Sequence, residues 1–192
     1  MTINKEVEVE VFEAIKTRRS IRSYTSEAIP QEEISVVLEA ARWAPSWANT
    51  QCWRFIVIRN NDTKAKLAET LTFWNPARAR STIEQAPIVI VACAELGKSG
   101  FYQGEPVTDK GDWYMFDVAL AMQNLTLAAH SLGLGTVHVG AFDAKKVAQI
   151  LNVPEGVAVV EMTPLGHPAK EGKTPPRKEL SELVFRESYG QK

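Results

Sequence analysis

The spacing of hydrophobic residues along the chain predicts helices that alternate irregularly with short strands. Apolar residues recur every three or four positions over residues 7–15 and 34–41, which is typical of helices with one buried face. Pro45 ends the second helix, because proline disfavours helical geometry in the residue before it. The β-branched and aromatic run 55–58 predicts a buried strand. The run 88–94 is apolar on both faces and predicts an interior strand.

The middle of the chain contains the longest predicted helix, from residue 112 to about 132. Its centre is apolar nearly all round, which indicates burial on several sides and suggests a subunit interface, and its small residues would permit close approach of another helix. A shorter helix is predicted over 62–71, after a turn and cap at 60–62. Two further strands are predicted at 136–139 and 157–162.

Asp143 is a predicted N-cap for a helix over 144–151, and a closing helix is predicted from 178 to about 189. Three other segments lack a regular pattern and are interpreted as loops or as mobile or partner-contacting segments. They are 72–85, the glycine-rich stretch 95–111, and 164–176. Loops of this length in compact domains are usually functional or disordered. Strands separated irregularly by helices favour an α+β fold with a mixed sheet.

Composition restricts the class of protein. The 192 residues suffice for one domain with its own core, and we treat residues 1–192 as that single domain. A net charge of −1 provides no global field for nucleic acid or acidic membranes, so any anion site must be local. The longest apolar run is too short to cross a bilayer, and the N-terminus lacks the pattern of a secretory signal. Isolated Cys52 and Cys93 favour a reducing, cytoplasmic setting.

A basic segment, Arg18-Arg19-Ser20-Ile21-Arg22, follows the first predicted helix. A guanidinium group matches phosphate or carboxylate oxygens in pairs, and it stays charged when buried. Three such groups at a helix end repel one another unless an anion or acidic side chains lie among them. Taken alone, the segment fits a solvated basic turn as well as an anion site. No GxGxxG follows a strand and no GxxxxGK[ST] occurs, so neither a Rossmann fingerprint nor a P-loop is present.

In their order and separation, four segments of the chain resemble the FMN-dependent nitroreductase family, over about residues 9 to 186. They are RRSIR at 18–22, APSWANTQCW at 44–53, LGLGT at 132–136, and LGHP at 165–168 with Arg177. The family commonly has proline where this chain has Cys52, a change that removes no hydrogen-bond donor. The resemblance implies an α+β fold with a mixed or antiparallel central sheet flanked by helices. It also implies an intertwined homodimer with FMN at the interface.

The resemblance further implies a set of cofactor-binding residues. Arg18, Ser20 and Arg177 match positions that hold the 5′-phosphate, a dianion that needs donors from separate parts of the chain. Arg22 matches a position near the pyrimidine side of the flavin, where a cation stabilises the charge that builds up on reduction. Arg19 belongs to the same basic segment and is included among the candidates.

Two other segments match parts of the family that approach the flavin ring. One commonly comes from the other subunit and here contains Pro45, Ser46, Asn49 and Gln51. Asn49 or Gln51 has an amide that can pair with an edge of the ring. The second is the strand end His138, Val139 and Gly140. The glycine there lets the backbone come close to the ring.

Several of these residues have competing interpretations. His138 is a candidate proton donor, or else a strand histidine satisfied by a backbone partner. Cys52 is interpreted as a buried structural cysteine rather than a redox thiol. Trp47 and Trp74 are candidates for substrate contact, although tryptophans are more often core or interface residues. The three scattered histidines of the chain make no metal site.

The leading hypothesis is an NAD(P)H-dependent flavin oxidoreductase with a ping-pong cycle. NADH or NADPH would transfer a hydride to flavin N5 and be replaced by a small electron-poor acceptor such as a nitroaromatic or a quinone. Because the cofactor supplies the chemistry at N5, no catalytic side chain is assigned. Two alternatives stay open: a specialised dehalogenating or flavin-fragmenting enzyme, and a flavin-binding or storage protein without turnover.

Overall fold

The computed structural model describes residues 10–72 and 76–192. The helices are α1 Val11–Thr17, α2 Gln31–Arg42, α3 Asn61–Glu69, α4 Pro76–Gln85, α5 Tyr114–Ser131, α6 Ala144–Ile150 and α7 Leu180–Leu183. The strands are β1 Trp53–Ile58, β2 Ile88–Glu95, β3 Phe101–Tyr102, β4 Glu105–Pro106, β5 Gly135–Thr136 and β6 Val157–Gly166. A 3-10 turn, Trp47–Asn49, lies between α2 and β1. Among the described residues, no helix has the length and apolar character needed to cross a membrane.

A four-stranded antiparallel sheet in the order β1-β2-β6-β5 forms the centre of the fold. The central strand β2 is buried along nearly all of its length, which confirms the predicted interior strand. Its residues Ile88, Ile90, Ala92 and Ala94 belong to the hydrophobic cluster that includes α2 and α5, and Val89, Val91 and Cys93 belong to the cluster that includes α3, α4 and α6. Helices therefore cover both faces of the sheet, and β2 is apolar on both sides for this reason.

The basic segment runs along the edge of this sheet. Ser20 forms a parallel bridge with Thr136, and the backbone N–H of Ile21 donates to the carbonyl of Thr136 at 2.9 Å. Four residues further on, Tyr24 forms an antiparallel bridge with Pro168. The strands of the central sheet thus all pair antiparallel, with one parallel bridge at this edge, and the basic segment lies between β5 and the chain that follows β6.

Two segments that had no predicted element contain secondary structure. Residues 95–111 contain the hairpin of β3 and β4, which turns at Gln103 and Gly104 with φ angles of 50° and 84°. Positive φ at both central residues is the geometry of a tight hairpin turn, and the sequence signal was weak because each strand has only two residues. Helix α4 occupies most of residues 72–85, whereas Phe73 and Trp74 lie outside the described residues.

Three predicted boundaries were wrong. Strand β6 continues through Pro164 to Gly166, because β5 pairs with its end. The strand predicted at 136–139 is reduced to β5 and a single bridge between Val139 and Met162. The closing helix predicted over 178–189 is only α7, whose leucines are exposed. A helix that buries no apolar face within its own chain has little to stabilise it, so four residues are all that form.

Candidate functional site

A cleft of about 410 Å³ opens where three of the motif segments meet. The end of α1, the C-terminal end of α5 and the loop after β6 form its walls. The residues that line the cleft include Arg18, Arg19, His130, Thr136, Glu171 and Thr174, but not the other predicted phosphate and flavin residues Ser20, Arg22 and Arg177. The fold thus brings RRSIR, LGLGT and LGHP to one place, although they are far apart in the chain.

Positive charge is concentrated at one wall of the cleft. The pKa of Arg18 is lowered, first by burial and then by the charges of Arg177 and Arg19. Both charges named here are positive, so the guanidinium groups raise one another's energy in the folded chain. Arg177 therefore lies close enough to Arg18 to interact with it, as the resemblance implies for two groups that bind the same phosphate.

Arg19 has a structural role in addition to its place at the cleft. Its Nη1 donates to the carbonyls of Lys16 at 2.5 Å and Arg18 at 2.8 Å, and its Nε donates to Thr174 Oγ1 at 2.9 Å. These bonds satisfy carbonyls at the end of α1 and hold the loop after β6 against it. Direct contact between Arg19 and a cofactor stays a prediction.

The other basic candidates are exposed. Arg22 Nη1 lies 3.5 Å from the carbonyl of Ser20, which itself is bridged to Thr136. Arg177 Nη1 contacts the carbonyls of Pro175 and Pro176 at 3.3 and 3.5 Å. These contacts are long and local, so both guanidinium groups can turn toward a ligand.

The segment that contains the 3-10 turn has an unusual backbone. Ala48, Asn49 and Gln51 have φ angles of 43°, 57° and 47°, a region that disfavours non-glycine residues. Ser46 Oγ accepts from the backbone N–H of Gln51 at 2.9 Å, and Gln51 Nε2 donates to Asn49 Oδ1 at 3.1 Å. Strained backbone of this kind clusters at functional sites, which favours the prediction that this segment approaches a ligand.

This segment does not line the cleft of its own chain. Pro45 is exposed, and it lies with Ser46, Asn49 and Gln51 outside the residues that form the cleft walls. The resemblance assigns these residues to the site of the other subunit. Their contact with a cofactor stays a prediction, since one chain contains half of such an interface.

Sequence reasoning missed Asp117, a buried carboxylate in the first turn of α5. Its oxygens accept from the backbone N–H of Trp47 at 3.0 and 3.2 Å, from Thr50 Oγ1 at 3.4 Å and from Cys52 Sγ at 3.7 Å. An acid beside the apolar centre of a predicted buried helix was the available signal, because a buried carboxylate needs donors. Burial and the charge of Asp117 raise the pKa of Cys52 to about 12. Cys52 is therefore a buried, protonated cysteine, as predicted.

The candidate strand end is held by a carboxylate. His138 Nδ1 lies 2.9 and 3.0 Å from the two carboxylate oxygens of Glu161, which also accepts from Thr163 Oγ1 at 2.8 Å. The partner of His138 is thus an acidic side chain rather than the backbone group that was expected. Val139 pairs with Met162, and among the described residues a Cβ built on Gly140 would meet nothing within 4 Å. The described part of the chain therefore leaves open space beside Gly140.

Of the two tryptophans considered for substrate contact, Trp47 lies in the part of the chain that the structure describes. Trp47 packs on Trp113 with ring centroids 5.4 Å apart, and Trp113 packs edge-on against Phe116 at 5.3 Å. Trp74 lies outside the described residues. Trp47 therefore belongs to an aromatic cluster at the start of α5, and its contact with substrate stays a prediction.

We expect the ligand-free protein to lose stability as pH falls below about 6.5. The pKa of His130 is lowered from 6.5, first by burial and then by Arg18 and Arg19. Above that value the residue is neutral in both states. Below it the unfolded chain binds the proton first, so unfolding becomes easier until the lowered pKa of the folded state is passed.

Thermal unfolding measured from about pH 5 to 8 tests this expectation. His130→Gln keeps a polar group near Thr17 Oγ1, to which His130 Nε2 is hydrogen-bonded at 2.8 Å, and should flatten the decline. An equal decline in the variant and the wild type would assign the acid sensitivity to other groups.

Comparison with known proteins agrees with this geometry. Residues 15–167 match the model of the Nitroreductase family. The chain is 30% identical over 195 residues to an FMN reductase (NAD(P)H) of Bacillus subtilis, which covers 94% of this chain and 74% of the relative. It is 27% identical to an iodotyrosine deiodinase of Nematostella vectensis, over 94% of this chain and 76% of the relative.

A solved structure of a nitroreductase family protein from Clostridium novyi NT has the same fold. Its TM-score to this chain is 0.75 at 31% sequence identity, with 95% of this chain and 96% of that chain covered. The protein belongs to the nitroreductase family, and the resemblance seen in the four sequence segments is confirmed.

Proposed function

We propose that the protein is an NAD(P)H-dependent flavin oxidoreductase that reduces small electron-poor acceptors such as nitroaromatics or quinones. FMN, with NADH or NADPH as the electron donor, is what the family and its FMN reductase relatives imply. The observation that best supports the proposal is the position of Arg18 and Arg19 in the wall of the cleft, with Arg177 near enough that its charge, after burial, lowers the pKa of Arg18. A cytoplasmic location is part of the proposal, and two buried free cysteines agree with it.

The residues present fit a phosphate dianion. Repulsion between Arg18 and Arg177 in the ligand-free chain becomes attraction when two negative charges lie between them. The main-chain bonds of Arg19 keep the wall of the cleft in place while a ligand enters. The volume of about 410 Å³ falls within the range of small-molecule sites, roughly 300–1,000 Å³.

When bound, FMN supplies hydride acceptance and donation at its N5 atom. The side chains of this protein bind and orient. Arg18, Ser20 and Arg177 would hold the phosphate, and Arg22 would place positive charge beside the pyrimidine edge, which favours electron uptake. The amides of Asn49 and Gln51 would pair with the edge of the ring. In this assignment the protein controls affinity, orientation and reduction potential.

We propose further that a second copy of the chain completes the site. Val11, Phe12 and Ile15 on α1 are 67%, 74% and 51% exposed, and Leu180 and Leu183 on α7 are 75% and 58% exposed. Adjacent exposed apolar side chains are typical of protein interfaces. A homodimer would cover these helices, and it would account for the separation of Asn49 and Gln51 from the cleft of their own chain.

An anaerobic titration of the purified protein with NADH and then NADPH tests the proposal. We expect the flavin absorbance band to disappear with at least one donor and to return when a quinone or nitroaromatic is added. Initial rates at several acceptor concentrations should give the parallel double-reciprocal lines of a ping-pong cycle. A yellow protein that neither donor reduces would instead be a flavin-binding or storage protein, and a colourless dialysed protein that does not bind added FMN would contradict the proposal.

Reductive dehalogenation is the second candidate function. Two iodotyrosine deiodinases, from Nematostella vectensis and Thermotoga neapolitana, are 27% and 26% identical to the chain over most of its length. The hairpin of β3 and β4 is a candidate for the additional substrate contacts that this reaction needs, since Tyr102 at its tip is 69% exposed. Release of halide from a halogenated tyrosine under the same anaerobic conditions would favour this function over quinone reduction.

A further inference from the structure

Asp117 is a buried carboxylate whose hydrogen bonds all lead to one segment. Its side chain is in the first turn of α5, and the residue is 1% exposed. The positive end of the helix dipole stabilises a carboxylate at this position. Burial of a charge still requires direct donors, and here these are the backbone N–H of Trp47, the Thr50 hydroxyl and the Cys52 thiol.

These donors flank the strained part of the chain on both sides. Trp47 precedes Ala48 and Asn49, whose φ angles are 43° and 57°, and Thr50 and Cys52 flank Gln51, whose φ is 47°. Left-handed backbone at non-glycine residues persists only where the surrounding structure fixes it. The carboxylate of Asp117 connects both sides of this turn and thereby fixes it.

The ring of Trp47 is held by the same end of α5. It packs on Trp113, and Trp113 Nε1 donates to Thr108 Oγ1 at 2.9 Å. Trp113 in turn packs against Phe116. Both the backbone and the ring of Trp47 are therefore anchored, which leaves the turn little freedom to rotate. The direction of the two amides that follow it, at Asn49 and Gln51, depends on this anchor.

We infer that Asp117 is a positioning residue for the flavin site: its carboxylate holds the turn so that the Asn49 and Gln51 amides face the ring of FMN. This inference rests on the proposed function, because it assigns the turn to the cofactor. The carboxylate does not touch the cofactor and acts through the backbone that it binds. Its loss should alter how the protein treats the flavin, beyond any loss of stability.

The test compares Asp117→Ala with Asp117→Asn and with a matched control, Thr126→Val. Thr126 lies on the same helix, is fully buried, and donates to the carbonyl of Gln123 within the helix. We expect Asp117→Ala to raise the Kd of FMN by about tenfold or more, as for the loss of hydrogen bonds to a charged group. The flavin reduction potential should shift, and kcat should fall more than KM changes. Asp117→Asn should keep the Kd of FMN and the reduction potential close to their wild-type values, because the Oδ1 of the asparagine can accept from Trp47 while its amide donates to Thr50.

Thr126→Val should lower the unfolding temperature without moving the Kd of FMN or the potential. Wild-type Kd and potential in a folded Asp117→Ala protein would overturn the inference, as would an equal shift in Thr126→Val. If Asp117→Ala does not fold, Thr50→Val tests the inference in its place, since it removes one hydrogen-bond donor to Asp117 and keeps the carboxylate. A Kd and potential unchanged in that variant would then count against the inference.

Amide hydrogen exchange separates this inference from the proposed function. In the protein without FMN, the peptide that contains Trp47 should exchange faster in Asp117→Ala than in Thr126→Val. If the wild type does not bind FMN, the proposed function is refuted. Faster exchange in Asp117→Ala would in that case still confirm that Asp117 holds the turn. Equal exchange, together with normal FMN binding, would refute only the role of Asp117.

Discussion

Replacing Arg18 and Arg177 together with alanine should release FMN and leave a colourless protein under conditions where the wild type stays yellow. Each guanidinium is expected to contribute a charged hydrogen bond or two to the phosphate, at roughly 1.5–3 kcal/mol each. A single bond of this kind corresponds to a change of about 10- to 150-fold in the Kd of FMN. Because both groups bind the same anion, the double variant should not equal the sum of the single ones.

In the protein without FMN, by contrast, removal of the Arg177 guanidinium should not destabilise the fold. The charge of Arg177 is one cause of the lowered pKa of Arg18, so the two groups repel each other in the ligand-free chain. Arg177→Ala relieves this repulsion, and the ligand-free variant should unfold no earlier than the wild type. Its unfolding temperature should, however, rise much less when FMN is added.

Lys178→Ala is a matched control, because Lys178 has the same charge, is exposed, and is adjacent to Arg177. If this variant weakens FMN binding as much as Arg177→Ala, the effect is a general field rather than a contact. A field effect would also disappear at high salt, whereas a direct contact between Arg177 and the bound phosphate would be screened less. If Arg177→Ala retains FMN as well as the wild type does, Arg177 does not bind the phosphate.

Local chemistry allowed much of the fold to be predicted from the sequence. Asn60 and Asp143 are N-caps whose side chains accept from the backbone N–H groups of Thr63 and Lys146. The helix after Asp143 begins where it was predicted, and the helix after Asn60 begins one residue earlier than predicted. The apolar character of β2 on both faces predicted its central place in the sheet. These features depend on neighbouring residues or on simple periodicity, so one sequence is enough to find them.

Features that depend on distant contacts were harder to predict. The hairpin of β3 and β4 is too short to show a period, and α7 has apolar residues that no core of its own chain covers. Leu180 and Leu183 give this helix an apolar face, but within the described residues both leucines stay exposed. A helical pattern predicts a long helix only when something buries its apolar face.

In the candidate site, too, features set by neighbouring residues were easier to predict than features set by distant contacts. The composition of the basic segment fitted an anion site and a solvated turn equally well. The approach of Arg177 to Arg18 depends on how the chain folds, and only the resemblance pointed to it. The segment around Asn49 was assigned by resemblance as well. Its restraint by Asp117 needed the structure, because a contact across some seventy residues leaves no periodic signal.

Gly135→Ala is expected to be strongly destabilising and to weaken the cofactor site at the same time. A Cβ at this position would lie 2.6, 2.7 and 2.8 Å from Cγ1, Cβ and Cγ2 of Ile21. Ile21 and Gly135 are both buried, and Ile21 is hydrogen-bonded to the adjacent Thr136 at 2.9 Å, so neither strand can withdraw without breaking the sheet edge. Overpacking of this kind costs about 1–3 kcal/mol, or roughly 2–12 °C in Tm for a chain of this size.

Gly140→Ala provides the control for stability in the protein without FMN, since its Cβ would meet nothing within 4 Å among the described residues and Tm should stay near that of the wild type. Ile21→Ala removes two of the three atoms that the new methyl group would meet. Combined with Gly135→Ala, it should therefore cost less than the sum of the two single variants. Because Ile21 lies between Arg18 and Arg22, relief of the clash should also restore part of the lost FMN affinity. Additive costs in Tm, or an FMN Kd that Gly135→Ala leaves unchanged, would show that the edge of the sheet does not position these arginines.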